Sequence, residues 1–264
     1  MSKYLAVFKI TWEQGLVYRL NFALWRVRSI LQLLLAYFIW WTVFQNQEQI
    51  FGYTQSLILT YILVAALIRA IILSSRVMDV AGQINEGSIV NFLIKPLDFI
   101  TYYFTRVFGY KLLNISFVAV EITMLIFLLK PQIAFQTDTF FLTLFILSAI
   151  LGMILYFTIS FILGMTAFWV ENSWGPFFLL MIFLEGLGGG LFPIDILPNP
   201  LSQIILLTPF PYLIYFPSKL YLGTMPSVEI IQGFSVLVFW VITLWFLMIK
   251  TLEKGLKIYT AVGH

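Results

Sequence analysis

Long apolar runs separated by short polar turns dominate the chain, and their lengths predict helices that cross a membrane. A helix needs about 20 apolar residues to span the hydrocarbon core of a bilayer. Six runs reach or approach this length, and the first begins at residue 22 or residue 29. The predicted spans cover residues 22–44, 56–74, 100–129, 139–169, 175–191 and 228–249.

Residues 1–21 precede the first span and carry apolar side chains at every third or fourth position. Charged residues lie elsewhere on the helical wheel, which is the pattern of an amphipathic helix. Such a helix lies in the membrane interface with its apolar face towards the lipid tails. The predicted interfacial stripe consists of Leu5, Phe8, Trp12, Leu16 and Leu20.

The polar loop of residues 79–98 separates the second and third spans and is itself patterned. Ile89, Phe92 and Leu93 have the i, i+3, i+4 spacing of a short one-faced helix, which Pro96 ends. A loop gains nothing by showing an apolar stripe to water, so another surface should cover this one. The pattern leaves two covers open, either a groove on a partner protein or the lipid headgroups.

A proline-rich segment, residues 192–227, lies between the last two spans and cannot form one continuous helix. We expect short helical pieces in or near the outer interface. Just before it, Gly186 and Gly190 have small-xxx-small spacing, which predicts a close approach of two helices. The six prolines between residues 192 and 217 are Pro193, Pro198, Pro200, Pro209, Pro211 and Pro217.

The composition places the chain among all-α integral membrane proteins. Hydrophobic residues make up 61% of it and charged residues 10%, against about 25% charged residues in soluble domains. The chain has no cysteine, and its one histidine is the terminal His264, so we expect no metal site and no catalytic residue. No phosphate-loop motif is present, so the chain itself should bind no nucleotide cofactor. We expect the lipid bilayer, not nucleic acid, as its surroundings.

The basic residues set the predicted orientation. When six spans are threaded through a membrane, both termini and loop 79–98 lie on one side. Of the 15 lysines and arginines, only Lys130 and Lys219 fall on the opposite side. Basic residues concentrate on the cytosolic side of membrane proteins, so the termini and this loop are predicted to be cytosolic.

Two carboxylates, Glu121 and Glu185, lie inside predicted spans. A carboxylate at the centre of a bilayer costs about 3 kcal/mol or more, so it usually faces a cavity or a partner. These two glutamates could balance the charge of a cationic substrate. Alternatively, each could pair with a neighbouring serine or basic residue such as Arg106 or Lys111 and hold helices together.

Six spans, the N-terminal amphipathic helix and three sequence motifs together resemble the permease subunits of type-two ABC exporters. The resemblance covers essentially the whole chain. Within this superfamily, the chain is similar to bacterial viologen or multidrug exporter permeases. The motifs are INEGSIVNFLIKPLD in loop 79–98, and GGGLFPIDILPNPL and LLTPFPYLIYFPSKLYLG in the proline-rich segment.

The resemblance implies a multi-pass protein of the bacterial plasma membrane, assembled as a permease dimer with the same or a related chain. Two cytosolic ABC ATPase subunits, separate chains that bind Mg-ATP, would drive it, so this chain would be no enzyme. Loop 79–98 would hold the coupling helix, formed by Glu86, Gly87, Ile89, Phe92, Leu93, Lys95 and Pro96. The substrate path would include Glu185 and Glu121, and helix packing and the outer gate would involve Gly186, Gly190, Pro193 and Pro198.

The predicted substrate is a lipophilic cation or drug, with a lipid, peptide or polysaccharide as the alternative. Two other classes of function remain open from the sequence, an intramembrane lipid-modifying enzyme and a passive channel. Against the enzyme, no histidine cluster, carboxylate pair or serine–histidine arrangement lies at one depth. Against the channel, the sequence has no ring-forming repeat and no filter motif.

Overall fold

Helices account for most of the chain, and the prediction of an all-α protein is confirmed at this level. The computed structural model describes residues 2–17, 19–73, 78–90, 98–171 and 174–259. One small antiparallel hairpin pairs β1 (Gln49–Ile50) with β2 (Tyr53–Thr54). The helices are α1 (Ser2–Val17), α2 (Arg19–Val43), α3 (Gln55–Ile72), α4 (Met78–Asn85), α5 (Phe99–Leu129), α6 (Thr139–Met165), α7 (Trp174–Leu187), α8 (Leu201–Leu206), α9 (Tyr215–Leu222) and α10 (Ser227–Ile258).

Four helical stretches in the described ranges are long and apolar enough to cross a membrane. The other two predicted spans correspond to α2 and α7. Helix α7 has only 14 residues, fewer than the roughly 20 that a bilayer requires. Helix α2 carries three arginines, Arg19, Arg26 and Arg28. The six-span arrangement therefore stays a prediction. The four stretches are Gln55–Ile72, Phe99–Leu129, Thr139–Phe168 and Ser227–Ile258.

Helix α3 lies at the centre of the main core. It begins where the Thr54 hydroxyl accepts a hydrogen bond from the Leu57 backbone N–H at 3.4 Å, which caps its first turn. It then packs against α2, α5, α6 and α9, and more than half of its apolar stretch is buried. A helix that is apolar on all sides is stable only when neighbours surround it.

Helix α1 packs along α5 rather than standing apart from the bundle. Phe8 and Trp12 stack with ring centroids 6.3 Å apart, and Phe8 lies against Gly109 of α5. Leu5, from the same predicted stripe, is 64% exposed. Within the predicted stripe, Phe8 therefore contacts α5, whereas Leu5 is not covered by the chain.

The proline-rich segment is broken into short pieces. Helices α8 and α9 alternate with 3-10 turns at Ile194–Ile196 and Phe210–Leu213, because proline lacks the backbone N–H that a longer helix needs. Helix α9 packs against both α3 and α6, and its residues from Tyr215 to Leu220 are buried.

The predicted small-xxx-small pair is wrong, because Gly186 and Gly190 do not share a helix. Helix α7 ends at Leu187, and Gly189 adopts a positive φ of 78° just beyond it, a conformation typical of a helix C-terminus. A side chain at Gly186 would meet no described atom within 4 Å. Gly190 instead leaves room for the side chain of Arg69, because a Cβ added at position 190 would overlap the guanidinium group of Arg69.

A glycine that does mediate helix packing is Gly233 of α10, where an added Cβ would overlap the buried ring of Phe216. Replacing Gly233 with alanine should lower the thermal unfolding midpoint of the detergent-purified protein. The overpacking costs about 1–3 kcal/mol, more than the roughly 1 kcal/mol that alanine gains in helix propensity. The matched control, Gly186→Ala, should leave the midpoint unchanged or raise it. Equal midpoints for the two variants would contradict this packing.

Candidate functional site

The first half of loop 79–98 is fixed to the bundle by a second apolar core. Helix α4 packs on the C-terminal part of α6 and on the 3-10 turn that follows it, Thr166–Phe168. Side chains from α4, α5, α6 and α10 meet there and exclude water. The buried cluster consists of Val80, Ala81, Ile84, Ile89, Phe99, Tyr103, Val107, Phe157, Phe161, Met165, Ala167 and Met248.

Three polar contacts join α4 to its neighbours in addition to this core. Two of them reach α5 and the third reaches the turn after α6, so α4 is held from two sides. A hydrogen bond or ion pair at such a position fixes direction as well as distance. The contacts are Asp79 with Arg106 at 2.9 Å, the Tyr103 hydroxyl donating to Gln83, and Asn85 Nδ2 donating to the Glu171 carbonyl at 2.8 Å.

The turn after α4 separates an exposed position from a buried one. Gly87 adopts a φ of 74°, which favours glycine, and Glu86 before it is exposed. Ile89 is fully buried in the second core, and its N–H donates to the Gln83 carbonyl at 3.1 Å. The sequence predicted that another surface covers Ile89, and this surface is the second apolar core of the chain itself.

The remaining residues predicted for the coupling helix lie outside the described residues. They are Phe92, Leu93, Lys95 and Pro96. The structure therefore places Glu86, Gly87 and Ile89 at the base of the predicted helix, and the rest of the stripe stays a prediction from the sequence.

Glu185 of α7 pairs with Arg69 of α3. The two guanidinium nitrogens lie 2.5 and 3.2 Å from the two carboxylate oxygens, so the pair is bidentate. The side chains remain 26% and 38% exposed for Arg69 and Glu185. This ion pair is accessible from outside the chain.

Glu121 of α5 pairs with Arg26 of α2, and this contact is more deeply covered. Arg26 Nε lies 2.5 Å from Glu121 Oε1, and a second nitrogen contacts the other oxygen. The side chains are only 12% and 17% exposed. The partners that the sequence proposed for Glu121 are engaged elsewhere, since Arg106 pairs with Asp79 and Lys111 binds carbonyl oxygens.

Lys111 is buried between α5 and the end of α3, with 4% of its surface exposed. Its ammonium group donates to the Ile71 carbonyl at 2.8 Å and to the Ile72 carbonyl. The last four carbonyl groups of a helix receive no hydrogen bond from a backbone N–H of that helix. Lys111 therefore caps α3 and ties it to α5.

A third charged group, which the sequence did not single out as a site, fixes the proline-rich segment to the β hairpin. Lys219 of α9 lies 2.6 Å from Asp195 and donates to the Tyr53 hydroxyl, which in turn donates to Asp195 at 2.9 Å. Burial raises the pKa of Tyr53, and the neighbouring Asp195 carboxylate raises it further. Asp195 lies in a 3-10 turn that Pro193 precedes and Pro198 follows.

A family model described as ABC-2 family transporter protein matches residues 30–263, most of the chain. The chain belongs to the ABC-2 transporter family. Comparisons with curated proteins and with solved structures found no match. Family membership makes the chain a membrane-embedded ABC transporter subunit rather than an enzyme, with ABC ATPase subunits as its partners.

The matched range of the ABC-2 transporter family includes α4, the Arg69–Glu185 pair and the Lys219 group, whereas Arg26 precedes it. Within the described residues, no group of three or more histidine, cysteine or acidic side chains could hold a metal ion. The contacts described at these sites are ion pairs and hydrogen bonds within the chain.

Removing one partner of the Arg26–Glu121 pair should lower the stability of the protein more than replacing both partners. Arg26→Leu or Glu121→Leu alone should lower stability by about 3–5 kcal/mol, because each leaves one covered charge without its partner. The double replacement removes both charges and should cost much less. Thermal unfolding of the four proteins in one detergent measures this coupling. Additive losses in the double variant would show that the two side chains do not depend on each other.

Proposed function

We propose that this ABC-2 family member is the permease subunit of an exporter that two separate cytosolic ATPase subunits drive through loop 79–98. The observation that carries the proposal is the attachment of α4, which is buried against α5, α6 and α10 in one cluster. ATP hydrolysis in the partners moves substrate only if a firm connection carries their movement to the membrane helices.

The connection has the properties of a rigid lever. Helix α4 is short, with eight residues, and a helix of that length is stable only with outside support. The apolar cluster and the Asp79–Arg106 pair provide that support. A displacement of α4 therefore requires a displacement of α5 and α6 as well, because packed interfaces do not deform continuously.

The surface that meets the ATPase would follow directly after this lever. Glu86 is exposed at the turn, and the apolar residues Phe92 and Leu93 follow it in the sequence, with Lys95 at the far end. An apolar knob between two opposite charges suits a groove on a partner, where burial supplies affinity and the charges fix register. Ile89 would act from the other side, anchoring the knob in the chain's own core.

The surrounding assembly follows from charge and resemblance. The distribution of lysine and arginine supports cytosolic termini, which puts loop 79–98 on the side where ATP is available. Mg-ATP would be bound by the partner ATPases. A second permease, the same chain or a related one, would complete the path in a bacterial plasma membrane, with transport directed outward. The Lys219 group holds the proline-rich segment, which would form the outer gate.

The charges inside the bundle bear on the substrate. The sequence favours a lipophilic cation or drug, with Glu121 and Glu185 to balance its charge. Both carboxylates are paired with arginines, so neither offers a net negative charge to a lone cation. Among the alternatives that the sequence leaves open, this pairing favours a lipid over a simple cation.

Replacing Phe92 and Leu93 together with aspartate should remove the ATPase from the purified complex while leaving membrane insertion intact. Two carboxylates in an apolar groove should lower the amount of bound ATPase at least about tenfold, because each charge must lose its water. Mass spectrometry of the gently extracted protein measures the bound ATPase. The control exchanges the two residues, Phe92→Leu with Leu93→Phe, and should keep the ATPase bound. Normal ATPase retention in the aspartate variant would contradict the proposal.

Replacing Asp79 with alanine tests the lever separately from the docking surface. The variant should still bind the ATPase, but the dependence of ATP hydrolysis on transported substrate should weaken, because α4 loses its ion pair with α5. The exchange Asp79→Arg with Arg106→Asp restores a pair and should recover part of the coupling. Unchanged substrate dependence in the alanine variant would show that this contact does not transmit movement.

A further inference from the structure

The Arg69–Glu185 pair is more accessible than the Arg26–Glu121 pair. Its side chains are 26% and 38% exposed, whereas those of Arg26 and Glu121 are 12% and 17% exposed. Holding α3 and α7 together would not require this exposure. Part of each charge is therefore available to something outside the chain.

The surface around the pair is apolar. Met181, Ile182 and Phe183 precede Glu185 on α7 and are 42%, 50% and 45% exposed. The helix is apolar enough to lie among lipid tails or in an assembly within the membrane. Hydrocarbon forms no hydrogen bonds, so an exposed ion pair in such a face is costly until a polar group covers it.

The shape of the site supports access by a headgroup. Gly186 follows Glu185 and leaves open space, with no described atom within 4 Å of an added Cβ. Gly190 has no room for a side chain because the Arg69 guanidinium occupies that volume. The two glycines that the sequence assigned to helix packing thus bring backbone, rather than bulky side chains, next to the two charges.

The balance of charge at the site discriminates among headgroups. Arg69 and Glu185 present one positive and one negative charge, with their nitrogens and oxygens 2.5 and 3.2 Å apart. A lone cation would be repelled by Arg69, and a lone anion would be repelled by Glu185. A headgroup that carries both charges can place each one against its opposite.

We propose that the Arg69–Glu185 pair binds the headgroup of a zwitterionic amphiphile, with its anionic group on Arg69 and its amine on Glu185. The acyl chains of this ligand lie along the exposed apolar face of α7. The inference rests on the proposed transport function, since it names the substrate class for the same bundle. It differs from the lipophilic cation that the resemblance implies.

The test uses the full-length protein with its co-purifying subunits in vesicles of equal parts phosphatidylethanolamine, phosphatidylglycerol and a dialkyl trimethylammonium lipid. After mild detergent extraction, mass spectrometry measures the lipid that stays bound. The wild type should enrich phosphatidylethanolamine over both other lipids. Glu185→Gln should lower that enrichment about tenfold, the loss expected for one charge-assisted hydrogen bond. Retention of phosphatidylglycerol should rise in this variant, because Arg69 keeps its positive charge and Glu185 no longer repels the anionic headgroup.

Two controls separate binding from folding. Glu229→Gln removes an exposed carboxylate in the first turn of α10, to which no binding role is assigned, and should leave lipid retention as in the wild type. The exchange Arg69→Glu with Glu185→Arg keeps an ion pair and should keep the preference for the zwitterionic lipid. Best retention of the cationic lipid, equal retention of the three lipids, or no effect of Glu185→Gln would overturn the proposal.

A second copy of the chain, instead of a lipid headgroup, could cover the Arg69–Glu185 pair. The natural sequence has no cysteine, so Gly186→Cys introduces a single reporter thiol. A disulfide between two copies in the membrane, without lipid enrichment, would show that protein covers the pair and would overturn the inference. The ATPase is measured in the same samples: its presence without lipid enrichment rejects this inference alone, whereas its absence counts against the proposed function.

Discussion

The structure depends on one constraint, that a polar side chain in an apolar helix must find its partner within the protein. The hydroxyl groups often bind a carbonyl of their own helix, as Thr158 does, but each charged side chain described here has its partner on another helix or segment. Arg26 joins α2 to α5, and Arg69 joins α3 to α7. These contacts act as cross-links, and together with close packing at residues such as Gly233 they fix which helices adjoin.

Helices α3 and α5 take part in most of these contacts. The Tyr61 hydroxyl of α3 donates to the Gly189 carbonyl at 2.5 Å, and Lys111 of α5 caps the C-terminal end of α3. Helix α5 in turn holds α4 through Arg106. A continuous series of contacts therefore runs from the base of loop 79–98 through α5 and α3 to the start of the proline-rich segment. Packed side chains, hydrogen bonds and ion pairs of this kind can carry coupling between distant sites.

The sequence predicts the helical architecture, the patterned loop and the broken character of residues 192–227, because all three are local properties of residue order. It could not predict the partners. Arg26 and Glu121 lie 95 residues apart in the chain, so their pairing depends on the tertiary arrangement of α2 and α5. Tyr53 likewise lies 142 residues before Asp195, and Lys219 lies 24 residues after it, so no helical spacing marks this group.

Helical periodicity also predicted a shared helix where the helix ends early. Gly186 and Gly190 share a small-xxx-small spacing, but α7 ends between them. Gly189 adopts a positive φ just beyond the helix, and this backbone change interrupts the periodicity on which the prediction depended. For Ile89 the sequence left the covering surface open, and the structure buries this side chain in the core of its own chain.

The short pieces of the proline-rich segment explain why this part of the bundle should respond to movement elsewhere. Helices α8 and α9 have six and eight residues, too few to be stable without tertiary contacts. Helix α9 takes its support from α3 and α6 together, and its Lys219 reaches across to the hairpin. If α3 shifts relative to α6, α9 cannot keep both contacts. The segment must then rearrange, which is what an outer gate driven from loop 79–98 requires.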